Sequence, residues 1–224
     1  MLAVNRVSPF EQSKKMRGAQ CASHPKWQQD RRSIIVVLVF VELFVVEVIV
    51  LQVVFEDVRI PAANLLSTEG AGFGIAMAAL NGGRINIGAC SLGGGQAALD
   101  QTVRYLTERV AFGSPLIENP ALLFQLADMD TQLESARTLL HRAAQAMDDK
   151  DDDLVRVCAM AKLVATDAGF TVANTALQLH GGYGYLSEYG IERIVRDLRV
   201  HQILEGTNEI MRLIVGRSLA GAHQ

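Results

Sequence analysis

Hydrophobic positions fall into three textures along this chain. The first 32 residues show poor apolar periodicity. Ile34 to Val54, IIVVLVFVELFVVEVIVLQVV, is an apolar run broken by Glu42, Glu47 and Gln52. Beyond it, apolar residues recur at three- and four-residue steps, the spacing that lines one face of an α-helix. Leu122, Leu126, Met129, Leu133, Ala136, Leu140 and Ala143 mark one helix. Leu154, Cys158, Ala161, Ala165, Ala168, Val172, Thr175 and Leu179 mark the next, and the small residues in that stripe predict close helix–helix approach. A long helix from near Phe73 to about Val110 precedes them, and two shorter ones, about 191–202 and 208–219, follow. Amphipathic helices joined by short loops predict an antiparallel bundle.

The breaks between these elements carry their own chemistry. VVFEDVRIPAANLL reads as a short strand ending at Arg59-Ile60 and closed by Pro61. Thr68 to Gly72 reads as a turn. Gly82, Gly83, Gly88, Gly93, Gly94 and Gly95 lie inside the long helix, where each costs roughly 0.5–1 kcal/mol relative to alanine, so close packing or a kink is expected. The acidic patch from Asp148 to Asp153 reads as a solvated turn whose last aspartates cap the following helix. That patch lacks the spacing and the glycine of a calcium loop. His180-Gly181-Gly182 reads as a glycine stop.

Composition narrows the picture. With 224 residues, 50% of them hydrophobic and 20% charged, the chain buries a sizeable core and is not disordered. A formal net charge of −3 argues against nucleic acid as a partner. The charge is uneven: seven basic residues against Glu11 and Asp30 give the first 32 residues +5, which leaves −8 for the rest. Cys21, Cys90 and Cys158 lie far apart, which excludes a disulfide framework and a cysteine zinc site; no metal site is expected. The run at 34–54 is long enough to span a bilayer, and the basic residues before it suit a cytoplasmic N-terminus. Against a span stand Glu42 and Glu47, each costing roughly 2.5–3.5 kcal/mol at mid-bilayer, and the β-branched composition, which favours buried strands. Membrane contact through 34–54 is the disfavoured alternative.

Three stretches hold candidate chemistry, each with a plain structural alternative. Gln178-Leu179-His180-Gly181-Gly182 offers open backbone N–H groups to a ligand, or is a helix stop. Ile203-Leu204-Glu205-Gly206-Thr207-Asn208-Glu209 places a carboxylate among apolar neighbours, where its pKa would rise toward that of a base, with Thr207 as a helix cap; alternatively Glu205 is a solvated residue at a helix start. Arg109 ahead of Phe112-Gly113 could grip a phosphate bidentately, or complement a helix C-terminus.

In order and spacing, FEDVRIP, Gly82-Gly83-Arg84, ERVAFGSPL, QLHGGYGY, RDLRVHQILEGTNEI and Arg217 resemble the C-terminal part of the acyl-CoA dehydrogenase family. The resemblance runs from Val53 to the C-terminus. Asn81-Gly82-Gly83-Arg84, CSLGGGQAALD and RVHQILEGTNEIMR resemble in particular the isobutyryl-CoA branch, which serves valine breakdown. The resemblance implies a mainly α fold: a four-helix bundle at 67–224, preceded by a remnant of the middle β domain at 53–66 and an atypical segment at 1–52. It implies FAD as cofactor, acyl-CoA as substrate, electron-transfer flavoprotein as electron acceptor, a homotetramer and the mitochondrial matrix.

By the same resemblance Glu205 matches the base that removes the α-proton. Arg109, Phe112, Asn119, Gln178, Leu179, His180, Gly181, Gly182, Thr207, Asn208 and Glu209 match cofactor-binding positions. Asn81, Gly82, Gly83, Arg84, Gly206 and Arg217 match contacts to the CoA ester. The chain departs from the family at Pro120, where glutamine is usual, at Gly190 and Ile191, and throughout 1–52. The alternatives are a catalytically inactive helical oligomerisation domain and a membrane-anchored bundle.

Overall fold

The computed structural model describes residues 57–221. The chain divides into two compact units, Met1–Gly70 and Ala71–Gln224. The basic stretch, the apolar run at 34–54 and the start of the expected strand lie outside the described residues. In the first unit a 3-10 turn at Ala62–Asn64 follows Pro61. Residues 69–71, where the chain passes from one unit to the next, form the expected turn with Gly70 at φ 86°. The strand expected to end at Arg59-Ile60 is not formed over 57–60, because Asp57 stands at φ 49°, a left-handed conformation that no extended strand accepts.

The second unit holds α1 (Gly72–Glu108), a two-residue hairpin of β1 (Val110–Ala111) and β2 (Ser114–Pro115), α2 (Pro120–Asp148), α3 (Leu154–His180), α4 (Ile191–His201) and α5 (Asn208–Gly221). The periodicity therefore located all five helices to within about two residues. Pro120 sits in the first turn of α2, where a missing N–H costs nothing, and Asn119 caps that helix by accepting from Ala121 N–H at 2.9 Å. Asp153 does not cap α3 with its side chain. Arg156, one turn on, takes both carboxylate oxygens of Asp153, and Asp151 Oδ1 accepts from the Asp153 N–H instead.

Helix directions follow from who touches whom. A Cβ at Gly88 would meet Leu140 and Ala165, and one at Gly95 would meet Leu133 and Gly169. Rising numbers on α1 thus face falling numbers on α2 and rising numbers on α3, so α2 is antiparallel to α1 and α3 is parallel to it. On α4, Leu198 packs on Gly94 and His201 Nδ1 lies 2.8 Å from Ser91 Oγ, again antiparallel to α1. These pairs make an up–down–up–down bundle, with α3 as the helix in contact with all the others.

The core is Leu106, Met129, Leu133, Val157, Val172, Ile191 and Met211, each essentially sealed from water and each contributing roughly 1.5–3 kcal/mol by burial. The small stripe of α3 works as expected: a Cβ at Gly169 would stand 2.5 Å from the Ser91 carbonyl oxygen. Of the six glycines between positions 82 and 95 of α1, Gly83, Gly88, Gly94 and Gly95 each lie where a side chain would collide with a neighbour. Gly82 and Gly93 face open space, and packing does not explain them.

Candidate functional site

The turn between α4 and α5 reverses the chain through two consecutive left-handed residues, Glu205 at φ 56° and Gly206 at φ 89°. A non-glycine residue in that region costs of order 1–3 kcal/mol and persists only where its surroundings impose it. Here Leu204 is buried beneath the turn, and the Asn208 N–H reaches back to the Gln202 carbonyl at 3.0 Å. Glu205 is half-buried, and its carboxylate lies against Gly83 of α1: a Cβ at position 83 would stand 2.6 Å from Glu205 Cδ. Sequence neighbours suggested apolar surroundings for this group. The tertiary neighbours differ: Ile203 is exposed, while the charges of Arg84 and Lys162 both interact with Glu205.

Arg84 is 6% exposed. It donates from Nη1 to Asn81 Oδ1 at 3.0 Å, and its Nε is buried without a hydrogen-bond partner. Burial pushes its guanidinium below the usual range, while Cys158 and Glu205 act in the opposite sense. Lys162 of α3 is fully buried. Its ammonium donates to the Gly206 carbonyl at 2.9 Å and to Asn208 Oδ1 at 2.8 Å. Burial lowers its pKa to about 8, with the Asp167 charge opposing that shift. Asn208 is saturated internally: its Nδ2 donates to Thr166 Oγ1 at 3.0 Å and to Asp167 Oδ1 at 2.7 Å. Its backbone N–H is likewise engaged, at the Gln202 carbonyl.

A second cluster forms at the other end of α1. Tyr105 stacks on His180 at 4.3 Å between ring centroids, with Tyr183 and Tyr189 around them. Arg109 lies over the Tyr183 ring at 5.4 Å, which joins it to the Gly181-Gly182 segment. Its guanidinium is exposed and makes no ion pair among the described residues. Gly181 ends α3 at φ 57°, and it and Gly182 are exposed beside the exposed Gln178. The His180 side chain turns inward to the Ala176 carbonyl at 2.8 Å, where burial pushes its pKa down. Leu179 packs on the core. Phe112, at φ 56°, is wholly exposed at the hairpin tip.

Asn119 has its side chain committed to the α2 cap. The Glu209 carboxylate accepts from its own backbone N–H and from the Thr207 hydroxyl, which hold it below its usual range, the backbone bond foremost. Residues 207–209 also line a cavity of about 310 Å³ with Asp167, Arg199 and Arg212. Arg217 is exposed on α5, about 14 Å along the helix axis from Asn208, and is not brought to Glu205. The fold thus gathers Asn81, Gly83, Arg84, Glu205 and Gly206 at one place and Arg109, Gln178, Gly181 and Gly182 at another.

Sequence reading missed Lys162, Thr166 and Asp167. The signal was present: Lys162 falls in phase with Cys158, Thr166 and Gly169, on the face of α3 that packs inward. The donor set suits an extended anionic cofactor. It offers an exposed guanidinium at Arg109 and exposed backbone at Gly181-Gly182, while an orphaned buried N–H on Arg84 stands at the Glu205 end of α1.

A helical bundle of this topology, with a carboxylate on the turn before its last helix, defines a class of C-terminal domain. Residues 70–220 match the model of the acyl-CoA dehydrogenase C-terminal domain, and the chain belongs to the acyl-CoA dehydrogenase family. It is 51% identical over 167 residues to the mitochondrial isobutyryl-CoA dehydrogenase of Bos taurus, covering 75% of this chain and 40% of that protein. Identity to the mitochondrial isobutyryl-CoA dehydrogenase of Dictyostelium discoideum is 52%, with the same coverage. The butyryl-CoA dehydrogenase structure from Megasphaera elsdenii superimposes with a TM-score of 0.72 at 45% identity, over 75% of this chain and 43% of that one. The chain spans about two fifths of the length of the curated relatives it matches. No described helix is long and apolar enough to cross a membrane.

Proposed function

We propose that this chain supplies the C-terminal half-site of a flavin-dependent acyl-CoA dehydrogenase, with Glu205 as the acceptor of the α-proton from a short branched acyl-CoA. The observation that carries the reading is the seat of the Glu205 carboxylate. It lies on the Gly83 backbone of α1, within the run that resembles the substrate-binding segment, rather than out in solvent.

FAD, when bound, supplies the acceptor for the β-hydride. The remaining work belongs to the chain. Glu205 takes the α-proton. Its backbone N–H is offered to the thioester carbonyl, whose oxygen gains negative charge as the proton leaves. Arg84 and Lys162 hold positive charge near the carboxylate. Arg109, Phe112, Asn119, Gln178 to Gly182, and Thr207 to Glu209 would hold the cofactor. Asn81, Gly82, Gly206 and Arg217 would meet the CoA ester. The isobutyryl-CoA dehydrogenase relatives, both mitochondrial by name, support a short branched acyl group and a mitochondrial setting; valine breakdown, electron-transfer flavoprotein as acceptor, assembly as a tetramer and the matrix follow from the family resemblance alone.

A second reading, a bundle that assembles with other subunits without turning over substrate, draws on the coverage of only two fifths of the relatives. Flavin absorbance of the purified chain separates the two, since a colourless chain has no dehydrogenase activity of its own. For the first reading the decisive variant is Glu205→Gln, in the chain completed with the N-terminal portion of the bovine relative. Turnover should vanish while flavin stays bound; surviving turnover would place the base elsewhere.

A further inference from the structure

We infer that Lys162 is a positioning residue for the Glu205–Gly206 turn, tying it to α3 from inside the bundle and so fixing where the Glu205 carboxylate lies. The functional meaning rests on the proposed role of Glu205; the mechanical part does not. A buried lysine is rare unless its donors are engaged. Its two acceptors are the Gly206 carbonyl on the turn, at 2.9 Å, and Oδ1 of buried Asn208, the first residue of α5, at 2.8 Å.

The turn needs such a tether. Glu205 is left-handed without being glycine, a conformation that relaxes unless the surroundings hold it. Lys162 holds the residue after Glu205, and the same stretch of α3 holds Asn208 through Thr166 and Asp167. Both attachments lie within residues 162–167, so α3 sets the height of the turn while Gly83 of α1 receives the carboxylate. Without the ammonium, the Gly206 carbonyl loses the donor that Lys162 gives it, and the carboxylate would lose its fixed seat.

The test is residue-resolved hydrogen exchange on the full 224-residue chain and its Lys162→Met variant. The Asn208 amide, bonded to the Gln202 carbonyl, reports closure of the turn. Its exchange should quicken at least about tenfold in the variant, as expected for losing a hydrogen bond from a charged donor, while Leu133 and Ala165 hold their wild-type rates. Unchanged exchange at Asn208 overturns the inference. So does equal acceleration at all three sites, which a lysine serving only general stability would produce.

Should Lys162→Met not fold, the wild-type chain decides: its Lys162 Nζ protons should exchange slowly by NMR, and exchange at the rate of a surface lysine overturns the inference. In the chain completed with the N-terminal portion of the bovine relative, Lys162→Met should lower kcat at least about tenfold with KM within about twofold. An unchanged kcat beside an inactive Glu205→Gln overturns it as well. An active Glu205→Gln sinks the reading of Glu205 instead, and leaves the exchange result standing.

Discussion

Gly83 gives the space of its missing side chain to the Glu205 carboxylate: a Cβ there would fall 2.6 Å from Cδ and 3.0 Å from Oε1. The colliding atoms are the far end of a flexible side chain, so an added methyl moves the carboxylate and spares the helix. Alanine within a helix gains roughly 0.5–1 kcal/mol over glycine. Gly83→Ala should therefore leave urea-unfolding stability equal or slightly higher. In the completed enzyme it should cut kcat on the order of a hundredfold, the penalty typical of a 1 Å displacement. Stability loss with full activity would show that the carboxylate does not work from this seat.

Gly169→Ala should do the opposite. The atom it meets is the Ser91 carbonyl oxygen at 2.5 Å, part of a helix backbone that cannot step aside. Overpacking of this kind costs about 1–3 kcal/mol, or a Tm lower by roughly 2–4 °C per kcal/mol for a chain of this size. Thermal unfolding followed by circular dichroism measures it directly.

Stability should climb with pH above about 8 through Lys162. Its folded pKa of about 8 lies below the ordinary 10.5, so between those values the unfolded chain binds more protons than the folded one. The cost of burying the charge is present in full below pH 8 and is relieved as pH rises toward 10.5. Asp167, Glu205 and Glu209 favour the ammonium, whereas Arg84 opposes it; His201 also lies within its field. Urea unfolding at pH 7.5 and 9.5, for wild type and Lys162→Met, isolates the effect: the difference between the two should move in favour of wild type at the higher pH.

Arg109→Ala should loosen flavin without weakening the fold. The guanidinium is exposed and its contact with Tyr183 is worth only about 0.5–1 kcal/mol. Flavin content after gel filtration of the completed enzyme should fall, with acyl-chain preference unchanged. Undiminished flavin would remove Arg109 from the cofactor site.

The helices were legible because their apolar steps are regular and their ends carry local signals. Gly181 after His180 stops α3 where the sequence said it would. Asp153 misled because a cap depends on what else competes for the carboxylate, and Arg156 wins it. The strand at Arg59-Ile60 misled because alternation says nothing of the left-handed Asp57. At the candidate site, residue identities were readable through resemblance, but the contacts were not. Gly83 meets Glu205, and Lys162 meets Gly206, only after α1, α3 and α4 have packed, so no local window holds either pair. Lys162 was passed over because a lone cation in a stripe of small residues looks like a side chain reaching out to water.

The seam between α1 and α3 has a consequence for how the polypeptide is made. The two helices are parallel and are not consecutive, so Gly95 and Gly169 cannot meet until α2 has folded back between their positions in the chain. During synthesis α2 can cover only part of the inner face of α1, and the part that receives Gly169 stays open until most of α3 has emerged.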